Sequence, residues 1–340
     1  MKKLHKTKLK DIAQEAKVSV ALVSYVLNGR HSGRIKKETA DKIKAIAKRL
    51  DYHTNSFAKG LRTQKSNTIG LILADLANPF SAQIARIIED KVMERGYILL
   101  IGSMDEDISK FRRLIDTFIK QQVEGLLIVP SENSIKEIED IQRKGISCVL
   151  IDRYFPSLSF NYVANDNYFS TYTCVMNMIE NGKKTIGFIT QKTDYFHFHE
   201  RRRGFDDACR EAGVDVENRV REVDKSDLNN NVERAISELL DENPGMDAIL
   251  FSTNMLTLHG LKYAIRNNLN VPDQIEIMGF DEVQYYDIFP VPISYFKQPL
   301  EQIGHKAVEY LIAEIDNPGQ PPLQQVIKGE LVMAAQSGVE

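Results

Sequence analysis

Residues 9–29 read LKDIAQEAKVSVALVSYVLNG, and the spacing of their apolar residues decides the fold of the amino-terminal part of the chain. Apolar residues recur there at helical spacing in two short runs. The first run contains Leu9, Ile12, Ala13 and Ala16, and the second contains Val20, Val23, Val26 and Leu27. Between the runs lies a tight connection in which the Ser19 hydroxyl can cap the second helix. The stretch therefore predicts a helix–turn–helix.

A third helical run, formed by Ile43, Ile46, Ala47 and Leu50, allows three small helices to share one core. Helical bundles that bind no nucleic acid can show the same pattern. Charge decides between the two interpretations. Residues 1–66 contain 17 lysines and arginines against 5 acidic residues, a net charge of +12, whereas residues 67–340 carry −15. A basic head of this size favours binding to the phosphates of DNA.

An anionic membrane is the other polyanion that a basic head could bind. No stretch approaches the roughly 20 apolar residues that a spanning helix needs, and residues 1–10 lack the apolar segment of a signal peptide. Cys148, Cys174 and Cys209 are odd in number and lie in or near apolar stretches, which favours reduced, buried thiols over a disulfide framework. We therefore expect a cytoplasmic protein without membrane contact.

After residue 67 the pattern changes to short apolar runs that alternate with amphipathic helical stretches. The first set of runs lies at residues 68–74, 97–102, 125–129 and 148–151, and the second at 185–190, 248–253 and 275–280. This alternation is typical of parallel sheets covered by helices on both faces. It predicts an α/β core of two doubly wound parallel-sheet lobes, with a ligand cleft between them at the carboxyl ends of the strands.

Catalytic and metal-binding motifs are absent from the sequence. It contains no Walker-type phosphate loop, no G-x-G-x-x-G after a strand and no G-x-S-x-G elbow. We therefore expect that the protein is not an enzyme and binds no cofactor. His197, His199 and Glu200 lie close together, but no Cys or further His stands at ligand spacing, and a cleft rim or surface turn is the expected environment. A periplasmic binding protein would explain the two lobes, yet it would have no use for a basic helical head.

Several motifs follow one another along essentially the whole chain: LKDIAQEAKVSVALVSYVLNG in the head, NSFAKGL at residues 55–61, IGLI at 69–72, NPF at 78–80, the R..GF pattern at 201–205 and GFDE from Gly279. In this order they resemble the motifs of the lactose-repressor (LacI/GalR) family of bacterial regulators. The resemblance implies a DNA-binding head, a hinge that becomes helical on DNA and a core that resembles periplasmic sugar-binding proteins. We accordingly expect a helix-turn-helix domain at residues 1–53, a hinge at 54–67 and the core at 68–340. Within the core, we expect lobe 1 at about 68–160 and 292–319, and lobe 2 at about 161–291 and 320–340.

In the head, the resemblance places a set of residues on the DNA-facing side of the second helix and in the hinge. They are Ser19, Val20, Ala21, Ser24, Tyr25 and Asn28, with Asn55, Ala58 and Leu61 in the hinge. Leu61 matches a leucine that wedges between base pairs in the minor groove. Tyr25 stands where many relatives carry Arg, which removes a bidentate contact to guanine. The Tyr25 ring either faces the DNA or packs on the helices. At the start of the third helix, Lys36 replaces a Ser or Thr that often caps this helix in relatives.

In the core, the resemblance implies that Arg201 and Asp281 bind the ligand and that Phe80 stacks on it. Asp75, Arg153, Thr253 and Asn254 should face the same gap, although Thr253 replaces an asparagine or other polar residue of many relatives. Arg201 could instead lie in a solvated turn with Arg202 and Arg203. The implied protein is a repressor of a carbohydrate-utilisation operon that binds a pseudo-palindromic operator as a homodimer and responds to a sugar-like effector. No leucine-heptad tail follows Gly338, which favours a dimer over a tetramer.

Overall fold

The computed structural model describes residues 7–27, 35–52 and 66–334. The chain forms two compact units, Met1–Ser66 and Asn67–Glu340, and each is described by itself. The predicted DNA contacts Asn28, Asn55, Ala58 and Leu61 lie outside the described residues. In the part of the chain that is described, no helix is long and apolar enough to cross a membrane.

The head contains three helices around one small core, as the apolar spacing predicts. They are α1 (Leu9–Ala16), α2 (Val20–Leu27) and α3 (Lys37–Arg49). Ile12, Val23 and Ile43, one from each helix, are fully buried at their centre. The predicted cap is confirmed, because the Leu22 N–H donates to the Ser19 Oγ at 3.2 Å. Lys36 precedes α3 without capping it through its side chain, also as expected.

Removing the Ser19 cap should loosen the start of α2. We expect Ser19→Ala to cost about 1 kcal/mol, because the Leu22 N–H loses its acceptor, and Ser19→Gly to cost only a few tenths. Amide hydrogen exchange of a peptide spanning residues 20–27 measures the difference. Equal exchange in the serine, glycine and alanine proteins would contradict a capping role for this hydroxyl.

The first sheet of the core has the strand order β11-β5-β4-β3-β1-β2, and every pair in it is parallel. Its strands are β1 (Thr68–Leu73), β2 (Ile98–Ser103), β3 (Gly125–Ile128), β4 (Ser147–Ile151), β5 (Asn161–Asn165) and β11 (Gln324–Ile327). The helices packed on it are α4 (Pro79–Glu94), α5 (Ile108–Lys120), α6 (Ile135–Arg143) and α11 (Leu300–Asp316). Strands β1, β3 and β4 are buried almost throughout, which explains their continuous apolar sequence.

The second sheet has the order β12-β10-β9-β8-β6-β7, with only β12 antiparallel to its neighbour. Its strands are β6 (Ile186–Gln191), β7 (Val220–Val223), β8 (Ala248–Phe251), β9 (Glu276–Phe280), β10 (Ser294–Lys297) and β12 (Glu330–Val332). Its helices are α7 (Asn167–Glu180), α8 (Phe196–Glu211), α9 (Leu228–Glu242) and α10 (Asn254–Arg266), with short 3-10 turns at Lys225–Asp227 and Gln284–Tyr286. The two predicted doubly wound lobes are therefore present.

The lobe boundaries differ from those expected from the sequence. The expected boundaries place β5 in lobe 2 and β10 in lobe 1, but β5 pairs with β4 in the first sheet and β10 pairs with β9 in the second. Strand β11 likewise pairs with β5 rather than joining lobe 2. These three strands are short and mix polar with apolar residues, and such a strand can hydrogen-bond to the edge of either sheet, so the sequence pattern alone does not choose between them. The chain thus crosses between the lobes three times, after β5, β10 and β11.

The three cysteines are free and buried, as predicted. Cys148 lies in β4, Cys174 in α7 and Cys209 in α8. Burial raises the pKa of all three thiols, that of Cys209 to about 12. They act as small apolar residues of the two lobes rather than as reactive groups.

Candidate functional site

The exposed face of α2 carries the residues that the sequence assigned to DNA contact. Val20 is 44% exposed and Tyr25 55%, while Val23 and Val26 on the opposite face are buried. Ser19 and Ala21 are exposed as well, and Ser24 is half-buried. The 55% exposure of Tyr25 favours the interpretation in which its ring faces the DNA over the one in which it packs on the helices. The head also exposes Lys8, Lys10, Lys17, Lys36, Lys37, Lys42, Lys44 and Lys48.

In the core, a cavity of about 350 Å³ lies between the lobes where the parallel strands of both sheets end. All seven residues that the sequence assigned to the ligand line it. They are Asp75, Phe80, Arg153, Arg201, Thr253, Asn254 and Asp281. A larger open groove of about 880 Å³, next to the crossings after β10 and β11, shares Phe80, Asp281 and Gln298 with this cavity. We refer to the 350 Å³ cavity as the cleft.

Arg201 is 4% exposed and is held in place from the second lobe. Its Nε donates to the Asn167 Oδ1 at 2.8 Å, and its Nη1 donates to the Ser252 carbonyl at 2.5 Å. The guanidinium carbon lies 3.8 Å from the centre of the Phe280 ring. Burial lowers the pKa of Arg201 to about 10, although nearby carboxylates oppose the shift. The alternative interpretation, in which Arg201 lies in a solvated, Arg-rich turn, is therefore wrong.

Arg202 and Arg203, by contrast, make local ion pairs along α8, with Asp206 and Glu200 respectively. Gly204 explains part of the R..GF pattern, since a Cβ at this position would collide with the Tyr168 carbonyl oxygen on α7. The glycine allows α7 and α8 to approach closely, and Asn167, at the start of α7, thereby reaches Arg201.

Two aspartates face the cleft from equivalent strand ends, Asp152 after β4 and Asp281 after β9. Both have left-handed backbones, with φ of 66° and 68°, a conformation that costs energy in non-glycine residues and is concentrated at functional sites. Burial raises the pKa of Asp152 to about 6, against the effect of Arg153 and Arg201. Burial likewise raises the pKa of Asp281, whose Oδ1 accepts from the Gln298 Nε2 at 2.6 Å.

The raised pKa of Asp152 predicts a pH dependence of stability. Folding penalises the charged form of the Asp152 carboxyl. The contribution of this group to the free energy of unfolding is therefore most favourable below about pH 4 and is lost as the pH rises through about 6. The free energy of unfolding of the wild type minus that of Asp152→Asn should therefore fall between pH 4 and pH 6 and level off near pH 7. Urea titrations at each pH measure it. A difference that rises over this interval would show that Arg153 and Arg201 outweigh burial.

One end of the cleft is bridged between the lobes. In the first lobe, the Arg153 Nη1 donates to the Glu106 Oε1 at 2.8 Å. From the second lobe, the Tyr195 hydroxyl donates to the Glu106 Oε2 at 2.5 Å, and the Arg153 guanidinium lies 4.4 Å from the Tyr195 ring centre. Burial acts to raise the pKa of Glu106, but Arg153 and the Tyr195 hydroxyl hold it below its usual value. Glu106 is therefore an anion paired with a cation.

The remaining predicted residues have distinct environments. Phe80 is 9% exposed and stands in the cleft wall. The Thr253 Oγ1 accepts from the Leu256 N–H at 3.2 Å and so caps α10, which gives this side chain a structural task. The Asp75 Oδ1 accepts from the Ala77 N–H at 2.9 Å in an exposed turn. The Asn254 Nδ2 donates across the cleft to the Asn78 Oδ1 at 3.2 Å.

Sequence reasoning missed several cleft residues, among them Glu106, Asp152, Lys225 and Gln298, whereas His197 lines the cleft in agreement with the first of its two expected environments. Asp152 and Gln298 directly follow β4 and β10, so the strand-end rule could have found both. His197 lies in the first turn of α8 and is 6% exposed; burial and Arg201 push its pKa well below the usual value, so it is neutral. Among the described residues, no group of three His, Cys, Asp or Glu is placed to hold a metal ion.

A helix-turn-helix head, joined in one chain to a two-lobed core around a polar cleft, defines the class of DNA-binding transcription regulators with a ligand-binding core. Residues 8–55 match the lacI family of bacterial regulatory proteins, and residues 175–333 match a periplasmic binding protein-like domain. The ribose operon repressor of Halalkalibacterium halodurans is 30% identical over 311 residues, 91% of each chain. The chain belongs to the lacI family of bacterial regulatory proteins.

Solved structures share this fold. The lac repressor dimer bound to operator and the anti-inducer ONPF matches with a TM-score of 0.84 at 19% identity, covering 96% of this chain and 98% of that one. The complex of the transcriptional regulator CelR with cellobiose matches with a TM-score of 0.72 at 24% identity, covering 96% and 99% of the two chains. The predicted head and two-lobed core are confirmed by these likenesses.

Proposed function

We propose that this regulator represses a carbohydrate-utilisation operon in the cytoplasm and is controlled by a small sugar-like effector bound in the cleft. The observation that carries the proposal is the convergence of Arg201 and Asp281, one from a helix and one from a strand end, on a cavity of a size typical for small ligands. Relatives named for the ribose operon and for a cellobiose complex support a saccharide. The protein has no catalytic role and needs no cofactor in this proposal.

On the DNA, Ser19, Val20, Ala21, Ser24, Tyr25 and Asn28 read the major groove of each half-site. Val20 and Ala21 are small and apolar, and they can contact thymine methyl groups. In the hinge at residues 54–67, Asn55, Ala58 and Leu61 bind the DNA, and Leu61 enters the minor groove. Two chains pair so that two heads meet a pseudo-palindromic operator.

Pairing of two cores is supported by large apolar side chains that the core exposes. Met93 is 67% exposed, Ile98 65%, Ile101 44% and Ile288 83%. Ile98 and Ile101 lie on β2, which is the edge strand of the first sheet. Exposed apolar surface on an edge strand invites association, and a homodimer would cover it.

The effector acts by bridging the lobes. A ligand that contacts Arg201 and Asp281 on one side and Phe80 and Arg153 on the other stabilises the closed cleft, because it binds that state better. The three chain crossings are the points about which the lobes move. By thermodynamic reciprocity, a ligand that weakens DNA binding is itself bound more weakly by the DNA complex.

The test is DNA binding by the purified chain to the region upstream of its own gene, at several salt concentrations, with and without a panel of sugars. We expect tight, strongly salt-dependent binding that one saccharide changes. A random duplex of equal length is the control. Equal affinity for both duplexes would contradict the repressor function.

A further inference from the structure

The connection between β6 and α8 contacts the first lobe through three consecutive residues. The Thr193 hydroxyl donates to the Glu132 Oε1 at 3.0 Å, and the Asp194 N–H donates to the same oxygen. The Tyr195 hydroxyl donates to the Glu106 Oε2 at 2.5 Å. Both carboxylates belong to the first lobe, since Glu106 follows β2 and Glu132 follows β3. We call these three hydrogen bonds the latch.

Charge and burial distinguish the latch from other contacts between the lobes. Its acceptors are carboxylates, and hydrogen bonds to ionised acceptors are roughly twice as strong as those between neutral groups. Tyr195 is only 8% exposed, so its hydrogen bond is shielded from water. The contacts at the start of α4 are neutral: the Gln83 Nε2 donates to the Glu282 carbonyl at 2.9 Å, and the Asn78 Oδ1 accepts from the Asn254 Nδ2. We therefore expect the latch to contribute more to closure than these neutral contacts.

The latch lies on strands away from the three chain crossings. In the first sheet, the crossing strands β5 and β11 form one edge, and β2, which leads to Glu106, forms the other. In the second sheet, the crossing strand β10 pairs with the edge strand β12, whereas β6, which leads to Tyr195, pairs with β7 at the opposite edge. Contacts far from a pivot separate most when two bodies rotate about it. Opening of the cleft about the crossings therefore breaks the latch.

The latch is joined to the candidate effector residues through one helix. Tyr195 immediately precedes α8, and Arg201 lies in the second turn of this helix. From the first lobe, Arg153 both donates to Glu106 and lies over the Tyr195 ring. Because a helix moves as a unit when lobes close, the latch and Arg201 shift together relative to the first lobe.

We propose that the latch holds the cleft closed without help from a ligand and thereby sets the basal operator affinity of the regulator. Its hydrogen bonds join protein to protein, so they favour the closed state whether or not the cleft is filled. A ligand that binds the closed state better then acts on an equilibrium that the latch has already shifted. The effect on DNA rests on the proposed function, whereas the effect on the lobes does not.

Tyr195→Phe tests the latch by amide hydrogen exchange of the full chain. The variant loses one hydroxyl and keeps its ring beneath Arg153, and the Asp194 N–H keeps its acceptor on Glu132. Loss of the hydroxyl should nevertheless shift the equilibrium towards the open state, in which the Asp194 N–H is free. We expect this amide, followed in a peptide spanning residues 190–198, to exchange about tenfold faster or more.

Tyr172→Phe is the matched control, because it removes a bond of the same kind that does not join the lobes. The Tyr172 hydroxyl donates to the Glu211 carboxylate at 2.6 Å within the second lobe. We expect this variant to leave the exchange of residues 190–198 at the wild-type rate. Unchanged exchange in Tyr195→Phe, or equal acceleration in Tyr172→Phe, would overturn the latch.

Operator affinity tests the regulatory consequence with two variants that break the latch from opposite lobes, Tyr195→Phe and Glu132→Ala. Glu132 is only half-buried, so its truncation keeps the test available if Tyr195→Phe folds poorly. We expect both variants to change the affinity for the DNA upstream of the gene in the same direction, by about fivefold or more, and Tyr172→Phe to leave it unchanged. Fluorescence anisotropy measures the affinities.

The outcomes separate this proposal from the proposed function. Faster exchange with unchanged operator affinity, or affinity changes of opposite sign in the two variants, would overturn the role of the latch in setting DNA affinity. If the wild type binds upstream and random DNA equally, the repressor function is wrong. The exchange measurements then still decide whether the latch holds the lobes together.

Discussion

Replacing Arg201 by alanine should lower the free energy of unfolding of the core by about 3–5 kcal/mol, the usual cost of removing one member of a buried charged set. The substitution leaves the Asn167 Oδ1 and the Ser252 carbonyl without their strongest donor. It also removes a cation that stabilises the ionised forms of Asp152 and Asp281. Urea unfolding at pH 7, followed by circular dichroism, measures the loss.

Arg203→Ala is the matched control for this prediction, since it removes the same side chain from the same helix two positions away. Arg203 pairs with Glu200 at 2.6 Å, but its side chain is 53% exposed, and exposed ion pairs contribute about 0–1 kcal/mol. Similar losses in the two variants would mean that Arg201 acts as an ordinary surface cation. The core of Arg201→Ala should also lose its response to any saccharide that stabilises the wild type.

Tyr25→Ala should reduce the discrimination between operator and random DNA by about 10- to 100-fold, corresponding to the 1–3 kcal/mol of one lost base contact. The stability of the head should change little, because Tyr25 is 55% exposed and is not among the buried residues of the head's core. Fluorescence anisotropy with both duplexes at a fixed salt concentration measures the ratio of the two affinities.

The ratio separates base contact from phosphate contact. A tyrosine that bonds only a phosphate would weaken binding to both duplexes equally when removed. Hydrogen exchange of peptides from α1 and α3 provides the stability control, since loss of protection there would mean that the head itself has loosened. Unchanged discrimination with an intact head would contradict a reading role for Tyr25.

Much of the cleft could be predicted from sequence because strand ends in doubly wound sheets meet at one edge. Asp75, Arg153 and Asp281 each follow an apolar strand, and Arg201 was found through the R..GF pattern. The role of Thr253 could not be foreseen in this way. Its hydroxyl caps α10, a local hydrogen bond that depends on where the helix begins.

Glu106 shows the limit of sequence reasoning most clearly. It lies in a polar turn after β2, and its importance comes from Arg153, 47 residues later, and Tyr195, 89 residues later. Arg153 meets Glu106 once the first lobe has folded, and Tyr195 meets it only when the two lobes come together. Contacts between residues so far apart along the chain leave no local pattern in the sequence.

The three-helix head, the two α/β lobes and the strand ends that face the cleft can be predicted from the sequence alone, because helical and strand periodicities are local properties of the chain. The tertiary structure decided which sheet each of β5, β10 and β11 joins, since either sheet edge offers the same backbone hydrogen bonds. It also decided how the amides of Asn254 and Gln298 are turned. Their orientation follows from neighbours that folding brings together, Asn78 for Asn254 and Asp281 for Gln298.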